Sequence, residues 1–242
     1  MSSKRADLLL VERGLFSSRA RAQEAIAAGL VSANGRTVSK ASALLAEDAP
    51  LQASPAHPWA SRGGLKLVAA LEAFDVDPNG LACLDLGAST GGFTDVLLAR
   101  GARSILAVDV GRDQFDARLK SDPRVTSLEG FDARRLTAEV VGEPPELIVC
   151  DVSFISQRLI LPAALALAAP GAAYIGLVKP QFEVGRAHLK KGAVRDNASL
   201  LRACDDVRAC VEALGWKSLG LIDSPIRGGD GAQEFLYAAR NG

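Results

Sequence analysis

No two of the four cysteines are spaced as CxxC. Cys83, Cys150, Cys204 and Cys210 are scattered, and two stand inside apolar, strand-like runs. That argues against a zinc site and fits buried, reduced thiols in a cytoplasmic protein. Net charge is missing too. Lys plus Arg and Asp plus Glu number 28 each, so total charge points to no acidic partner. The start, MSSKRADLLLVERG, offers four consecutive apolar residues before Glu12, well short of a signal-peptide core. An uninterrupted membrane span is also lacking. Leu159 to Val178 carries no charge, but Pro170-Gly171 breaks it and its first half is rich in alanine. It reads as a buried helix, a turn, and a buried strand running into Lys179. No repeat or low-complexity tract is present, and neither a metal nor a membrane partner is expected.

What remains is ordinary globular composition, 48% hydrophobic and 23% charged over 242 residues. That length suits one large domain plus a small one. Residues 5–52 read as the small one. ADLLLVERG and SRARAQEAIAAG predict two short helices, with Ser17 or Ser18 as an N-cap and Gly14 and Gly29 as stops. LVSANGRTVSKA predicts a hairpin turning at Asn34-Gly35. SPAHPWASRGG, with Pro55, Pro58, Gly63 and Gly64, marks a boundary. The predicted division is a first domain over 1–55, a linker over 56–62, and a second domain over 63–242. Residues 1–40 hold Lys4, Arg5, Arg13, Arg19, Arg21, Arg36 and Lys40 against Asp7, Glu12 and Glu24. A basic end fits attraction to phosphates, which acts locally and is screened beyond roughly 10 Å. An ordinarily solvated surface fits equally well.

Beyond residue 62 the pattern is α/β. LACLDLG, SILAVDV, RVTSLEG, LIVCDVS and AAYIGLV are short apolar runs separated by helix-like segments, and WKSLGLID and EFLYAAR close the chain. Continuous apolar strands alternating with helices predict a mostly parallel sheet covered on both faces.

Leu84-Asp85-Leu86-Gly87-Ala88-Ser89-Thr90-Gly91-Gly92-Phe93-Thr94 joins one such strand to a helix. Glycines at a strand-to-helix turn let a ligand approach the backbone. Asp109 ends the next strand, 24 residues after Asp85, where an acid can accept hydrogen bonds from both ribose hydroxyls. Ser89 occupies the middle glycine position of a dinucleotide GxGxxG, which argues against NAD or FAD. D-x-G-x-x-x-G-G with a downstream acid resembles the S-adenosylmethionine loop of class I methyltransferases.

Four charges stand where an open sheet gathers chemistry. Asp151 ends the strand LIVC, Lys179 ends AAYIGLV, Lys66 lies in SRGGLKL, and Glu234 precedes the last strand. Each has a bland alternative as a solvated strand cap or surface group. Apolar strands alone, however, would not call for Asp151 and Lys179 beside the loop.

In order and context these four are similar to the Lys-Asp-Lys-Glu tetrad of the FtsJ-like ribose 2′-O-methyltransferases. SRGGLKL, LDLGASTGGFTDVLLARGA, DVSFIS and LVKPQFEVG resemble the TlyA (hemolysin A) family of ribosomal RNA methyltransferases. The N-terminal pattern RAD…SRARA…GLV..NGR.VSK is similar to the S4 RNA-binding fold. The resemblance covers nearly the whole chain. It implies a class I, Rossmann-like methyltransferase domain with a mostly parallel seven-stranded sheet behind a small α+β S4-like domain. It implies S-adenosylmethionine as cofactor, with Gly87, Ala88, Ser89, Thr90, Gly91, Gly92 and Phe93 as the methionine-side loop. Asp109 would hold the ribose and Asp132 the adenine edge. Lys66, Asp151, Lys179 and Glu234 would be catalytic, with Lys179 contacting the acceptor hydroxyl. The substrate would be a ribose, that of a cytidine, in 23S and also 16S ribosomal RNA, met as free RNA or in a ribosomal subunit. Lys4, Arg5, Arg19, Arg21, Lys40, Arg62, Arg186, Lys190 and Lys191 are the expected RNA contacts, and a monomer or weak dimer is expected. Two other readings compete. One is a non-catalytic RNA-binding platform, which an intact tetrad and loop oppose. The other is a membrane-active cytolysin, which no segment of the chain supports.

Overall fold

The structure, a computed structural model, describes residues 2–185, 194, 196–229 and 231–242. Two compact units divide the chain, residues 1–58 and 59–242.

The first unit runs β1 (Ser3–Arg5), α1 (Ala6–Glu12), α2 (Arg19–Ala27), β2 (Val31–Ala33), β3 (Arg36–Thr37), β4 (Leu44–Ala46) and β5 (Leu51–Ala53). Ser18 is the residue that caps α2, its side chain accepting from the Arg21 N–H, and Asn34 and Gly35 both take positive φ in the β2–β3 hairpin. Three short strands, β3-β2-β5, form one sheet and β1-β4 a second. Leu10, Phe16, Ala22, Ile26 and Val31 join into a small core. Beneath the unit's surface Asp7 is fully buried.

The second unit continues with α3 (Gly63–Ala73), β6 (Ala82–Leu86), α4 (Gly92–Ala99), β7 (Ser104–Asp109), α5 (Ala117–Lys120), β8 (Val125–Glu129), α6 (Ala138–Val141), β9 (Leu147–Cys150), α7 (Leu161–Leu165), β10 (Ala173–Val178), α8 (Pro180–Glu183), α9 (Asn197–Ala213), β11 (Trp216–Asp223) and β12 (Phe235–Asn241). All seven strands expected from apolar runs form one sheet, ordered β11-β12-β10-β9-β6-β7-β8. The strands from β10 to β8 are mutually parallel, and β12 runs antiparallel to both its neighbours. Side chains alternate between faces, so two cores form. Cys83, Ile105, Val149 and Ile175 meet α3 and α4 on one side. Leu84, Val108, Ile148 and Tyr174 meet α7 and α9 on the other.

The charge-free stretch 159–178 resolves into α7, a turn at Pro170-Gly171 and the fully buried β10. Among the described residues no helix is long and apolar enough to cross a membrane. The stretch expected as a linker, 56–62, is shared between the units. His57 is buried in the first, its ring bonded to Glu24. Ala60 is buried in the second, its N–H donating to Asp95 at 2.9 Å.

Strand order reverses between β6 and β9. Successive strands β6, β7, β8 go one way, and β9 and β10 lie on the other side. Open parallel sheets bind ligands beyond the carboxyl ends of their strands at such a point. The residues that follow β6 and β9 there are Gly87 and Asp151.

Candidate active site

Between β6 and α4 the chain turns through a loop that only particular residues can build. At Gly87, with φ +82°, a Cβ would come 2.6 Å from the carbonyl oxygen of Asp151. At Gly91, with φ +92°, it would run into the Leu119 side chain. Ser89 between them is held at φ +49°, left-handed backbone that is uncommon for a residue with a Cβ. Its N–H donates to Asp109 Oδ2 at 2.8 Å, which ties the loop to the end of β7. The other oxygen of Asp109 accepts from the Gly111 N–H at 2.6 Å and the Gln114 amide at 3.3 Å. An ionised carboxylate has about four acceptor positions, so Asp109 keeps room for a further donor.

A cavity of about 490 Å³ opens here, within the ~300–1,000 Å³ usual for small-molecule sites. Gly87, Ser89, Asp109, Asp132 and Asp151 supply its polar wall, and Val108, Phe131, Ile155 and Ile160 its apolar one. Of the expected loop, Gly87 and Ser89 face the cavity. Thr90 is half-buried. Ala88, Gly91, Gly92 and Phe93 are buried behind it: Gly92 abuts the Ser61 hydroxyl, and Phe93 belongs to the core under α3. Asp132 lines the cavity, yet its oxygens cap the turn 133–135 and pair with Arg134 at 2.6 Å. Those hydrogen bonds from Arg134 hold its carboxyl down at about 2. Below the loop Asp85 is fully buried, accepts from the Thr94 hydroxyl at 2.7 Å, and is pushed up to about 7, chiefly by burial.

The four expected catalytic groups come together as two ion pairs. Lys179 Nζ lies 2.6 Å from Asp151 Oδ1 and donates to Ser153 Oγ at 2.8 Å. Lys66, on α3, pairs with Glu234, their side chains only 9% and 3% exposed. The start of α3 abuts the first pair, for a Cβ on Gly63 would stand 3.5 Å from Asp151 Oδ2. This close approach follows from the run of small residues Ser61, Gly63 and Gly64. A Cβ on Gly64 would run into Trp59.

Three features of this crevice escaped the sequence reading. Phe154 is 91% exposed at the cavity edge and holds φ +66°. Its ring centroid is 5.2 Å from that of Phe182 on α8. Val110, also lining the cavity, is 72% exposed. Ser153 is the third. An aromatic in an apolar context reads as core, and nothing in DVSFIS foretells a left-handed residue.

The expected RNA contacts are placed less simply. Arg5 donates through Nε and Nη2 to the two oxygens of Asp7, both at 3.0 Å. Arg19 reaches the same carboxylate at 3.0 Å and Gln23 at 2.7 Å. Hydrogen bonds from Arg5 first, then Gln23 and Arg19, hold the Asp7 carboxyl far below the usual carboxylate range. Lys4 pairs with Glu12, and Arg21 donates to the His57 carbonyl at 3.2 Å. Lys40 and Arg62 are exposed. Arg186, Lys190 and Lys191 lie outside the described residues.

Residues 59–241 match the model of the FtsJ-like methyltransferases. The chain belongs to that family. Residues 4–49 match the S4 domain. The 16S/23S rRNA (cytidine-2′-O)-methyltransferase TlyA of Mycobacterium tuberculosis is 44% identical, over 98% of this chain and 89% of the relative. Hemolysin A of Brachyspira hyodysenteriae is 36% identical, over 96% and 98%. A solved structure from Streptococcus thermophilus, named as a hemolysin, superposes with a TM-score of 0.79 at 38% identity, covering all of this chain and 89% of the other. This family member thus joins an S4 domain to a seven-stranded methyltransferase fold, as the TlyA resemblance implied.

Proposed function

We propose that the chain transfers a methyl group from S-adenosylmethionine to the 2′-hydroxyl of a cytidine ribose in ribosomal RNA, the 23S and also the 16S molecule. The observation that carries this reading is the Lys179–Asp151 pair at the edge of the glycine-cradled cavity, with the buried Lys66–Glu234 pair in the same unit. The 44% identical relative is named for this reaction on both RNAs. The protein would act in the cytoplasm, on rRNA or ribosomal subunits.

The cavity fits the cofactor. Gly87 leaves the backbone bare, Asp109 keeps acceptor room for ribose hydroxyls, and the walls from Val108 to Ile160 are apolar where an adenine would lie. When bound, S-adenosylmethionine supplies an electrophilic sulfonium methyl. The chain's own task is to present the acceptor oxygen and deal with its proton. Lys179 is the group for that oxygen. Its ammonium is held between Asp151 and Ser153, which fix its direction and leave it a third N–H to donate to the acceptor oxygen. The hydroxyl proton released as that oxygen takes the methyl passes to solvent water. Asp151 balances the Lys179 charge, and Glu234 balances that of Lys66. Phe154 presents its ring to solvent beside this point. A base stacked on such a face gains ~1–3 kcal/mol, which suits an acceptor nucleotide drawn out of its stack.

The test is direct. Purified protein, labelled S-adenosylmethionine and unmodified 23S or 16S rRNA are combined, and 2′-O-methyl positions are mapped. Label on a cytidine ribose supports the reading; label on a base, or on no RNA, overturns it.

A further inference from the structure

Glu183, at the end of α8, is buried and takes no part in the chemistry above. A buried carboxylate must be well supplied with donors, and among the described residues every donor to this one comes from a single segment. Its Oε1 accepts from the Gln157 N–H at 2.9 Å. Its Oε2 accepts from the Ser156 hydroxyl and, at 3.4 Å, from Arg158 Nε. The return contact closes the ring, for Arg158 Nη2 donates to the Glu183 carbonyl at 3.0 Å. Arg158 also faces Asp206 on α9 at 3.6 Å.

The segment so gripped, 156–158, is the end of the turn that begins at Asp151 and carries Ser153 and Phe154. The helix doing the gripping begins directly after Lys179, where Pro180 opens it. A second contact joins the same two pieces, Phe182 on the helix against Phe154 on the turn. Gln157 is fastened from behind as well. Its amide donates to the Leu177 carbonyl of β10 at 3.3 Å and its oxygen accepts from Tyr174. The two halves of the acceptor site, Asp151–Ser153–Phe154 and Lys179, stand on different strand ends. Neighbouring strands alone leave the loops beyond them free to part.

We infer that Glu183 is a positioning residue of the methyl-transfer reaction. It locks the 151–158 turn to α8, so that Lys179 is held against Asp151 and Ser153 with Phe154 beside them. This rests on the function proposed above. It gives the chain's KPQFE run two separate tasks, Lys179 meeting the acceptor and Glu183 fixing the surface on which that acceptor is met.

The experiment is single-turnover transfer to rRNA, with S-adenosylmethionine and rRNA affinities measured alongside. A displacement of about 1 Å at a reacting group costs about 100-fold in rate. Glu183→Ala is expected to slow transfer by about that factor while both dissociation constants stay within about threefold. Glu183→Gln keeps an acceptor for the Gln157 N–H and should recover an intermediate rate. Should Glu183→Ala fail to fold, Ser156→Ala removes one donor from a part-exposed position. It is expected to lower the rate about fivefold to tenfold, again without loss of binding. Unchanged rates in the variants that fold would overturn the inference. So would rates that fall only in step with weakened binding, the mark of a purely structural group. Wild-type protein that methylates no ribose would overturn the underlying reading and this inference with it. An active wild type with unimpaired variants would overturn this inference alone.

Discussion

Lys179 Nζ stands 2.6 Å from Asp151 Oδ1, although the two residues end different strands. That pairing joins the acceptor side of the crevice to the loop side, because the carbonyl of the same Asp151 closes over Gly87. Lys179→Ala should therefore abolish methyl transfer while S-adenosylmethionine affinity stays nearly intact, since Lys179 does not line the cavity. Single-turnover transfer beside calorimetric titration reads both. Near-normal transfer would remove Lys179 from the chemistry.

The Lys66–Glu234 pair differs in being almost out of water. Deleting one partner of a buried ion pair strands the other charge and costs ~3–5 kcal/mol, whereas replacing both with apolar groups is often neutral. Glu234→Ala should lower the unfolding midpoint markedly. Lys66→Met with Glu234→Leu should restore it without restoring transfer. If the double variant regains activity along with stability, the pair is structural only.

Asp109 accepts from Ser89 N–H and Gly111 N–H and keeps capacity for more. Asp109→Ala should weaken S-adenosylmethionine binding at least tenfold, at ~1.5–3 kcal/mol for each hydrogen bond to a charged group. It also frees the strained Ser89. An unchanged dissociation constant would place the adenosine elsewhere.

The central strands β6, β9 and β10 were legible because each is buried on both faces and so reads as a continuous apolar run. The edge strands β8 and β11 are half-buried or mostly exposed and showed only as mixed runs. The first unit's β1, β4 and β5 were not legible. Each has three residues, and Arg5 pairs with Leu44 across a separation no local pattern reveals. Pro55 and Pro58 signalled irregular chain correctly, whereas Gly63 and Gly64 open α3, and irregular is not loose. His57 and Ala60 are both buried and hydrogen-bonded. At the site, residue types at strand ends carried Asp151, Lys179 and Asp109. The pairing of Lys66 with Glu234, 168 positions apart, needed the fold. Counting positive charges also overstated the free cations, since Asp7 sits under two of them.

That buried Asp7 makes the first unit sensitive to acid. Its folded carboxyl titrates far below the unfolded one, because Arg5, Gln23 and Arg19 favour the ionised form. The stability it contributes is complete above the unfolded value of about 3.9. It is lost as pH falls from there toward the folded value. Protection factors of the Leu9, Leu10 and Ile26 amides in the full chain, taken against the intrinsic exchange rate at each pH, should fall below about pH 4. Asp7→Asn should flatten that dependence while destabilising the unit at neutral pH. Equal acid response in both proteins would show that other carboxylates govern it.

The same cluster bears on how RNA is held. Asp7 engages Arg5 through Nε and Nη2 and Arg19 through Nη2, and a guanidinium has five N–H groups, so both keep donors for phosphate. Arg36 and Lys40 are exposed nearby in sequence. A small unit of this kind reads shape and phosphates rather than paired base edges. Deleting residues 1–58 should then leave S-adenosylmethionine binding intact and remove most of the rRNA affinity. For every phosphate that the unit neutralises, its deletion should also make the slope of log affinity against log salt shallower by about 0.7–0.9. Arg186, Lys190 and Lys191 offer the competing explanation, docking by the methyltransferase domain itself. Filter binding across a salt series separates the two. A truncated protein with full-length affinity and slope would assign the grip to that basic stretch and leave the S4 domain another task.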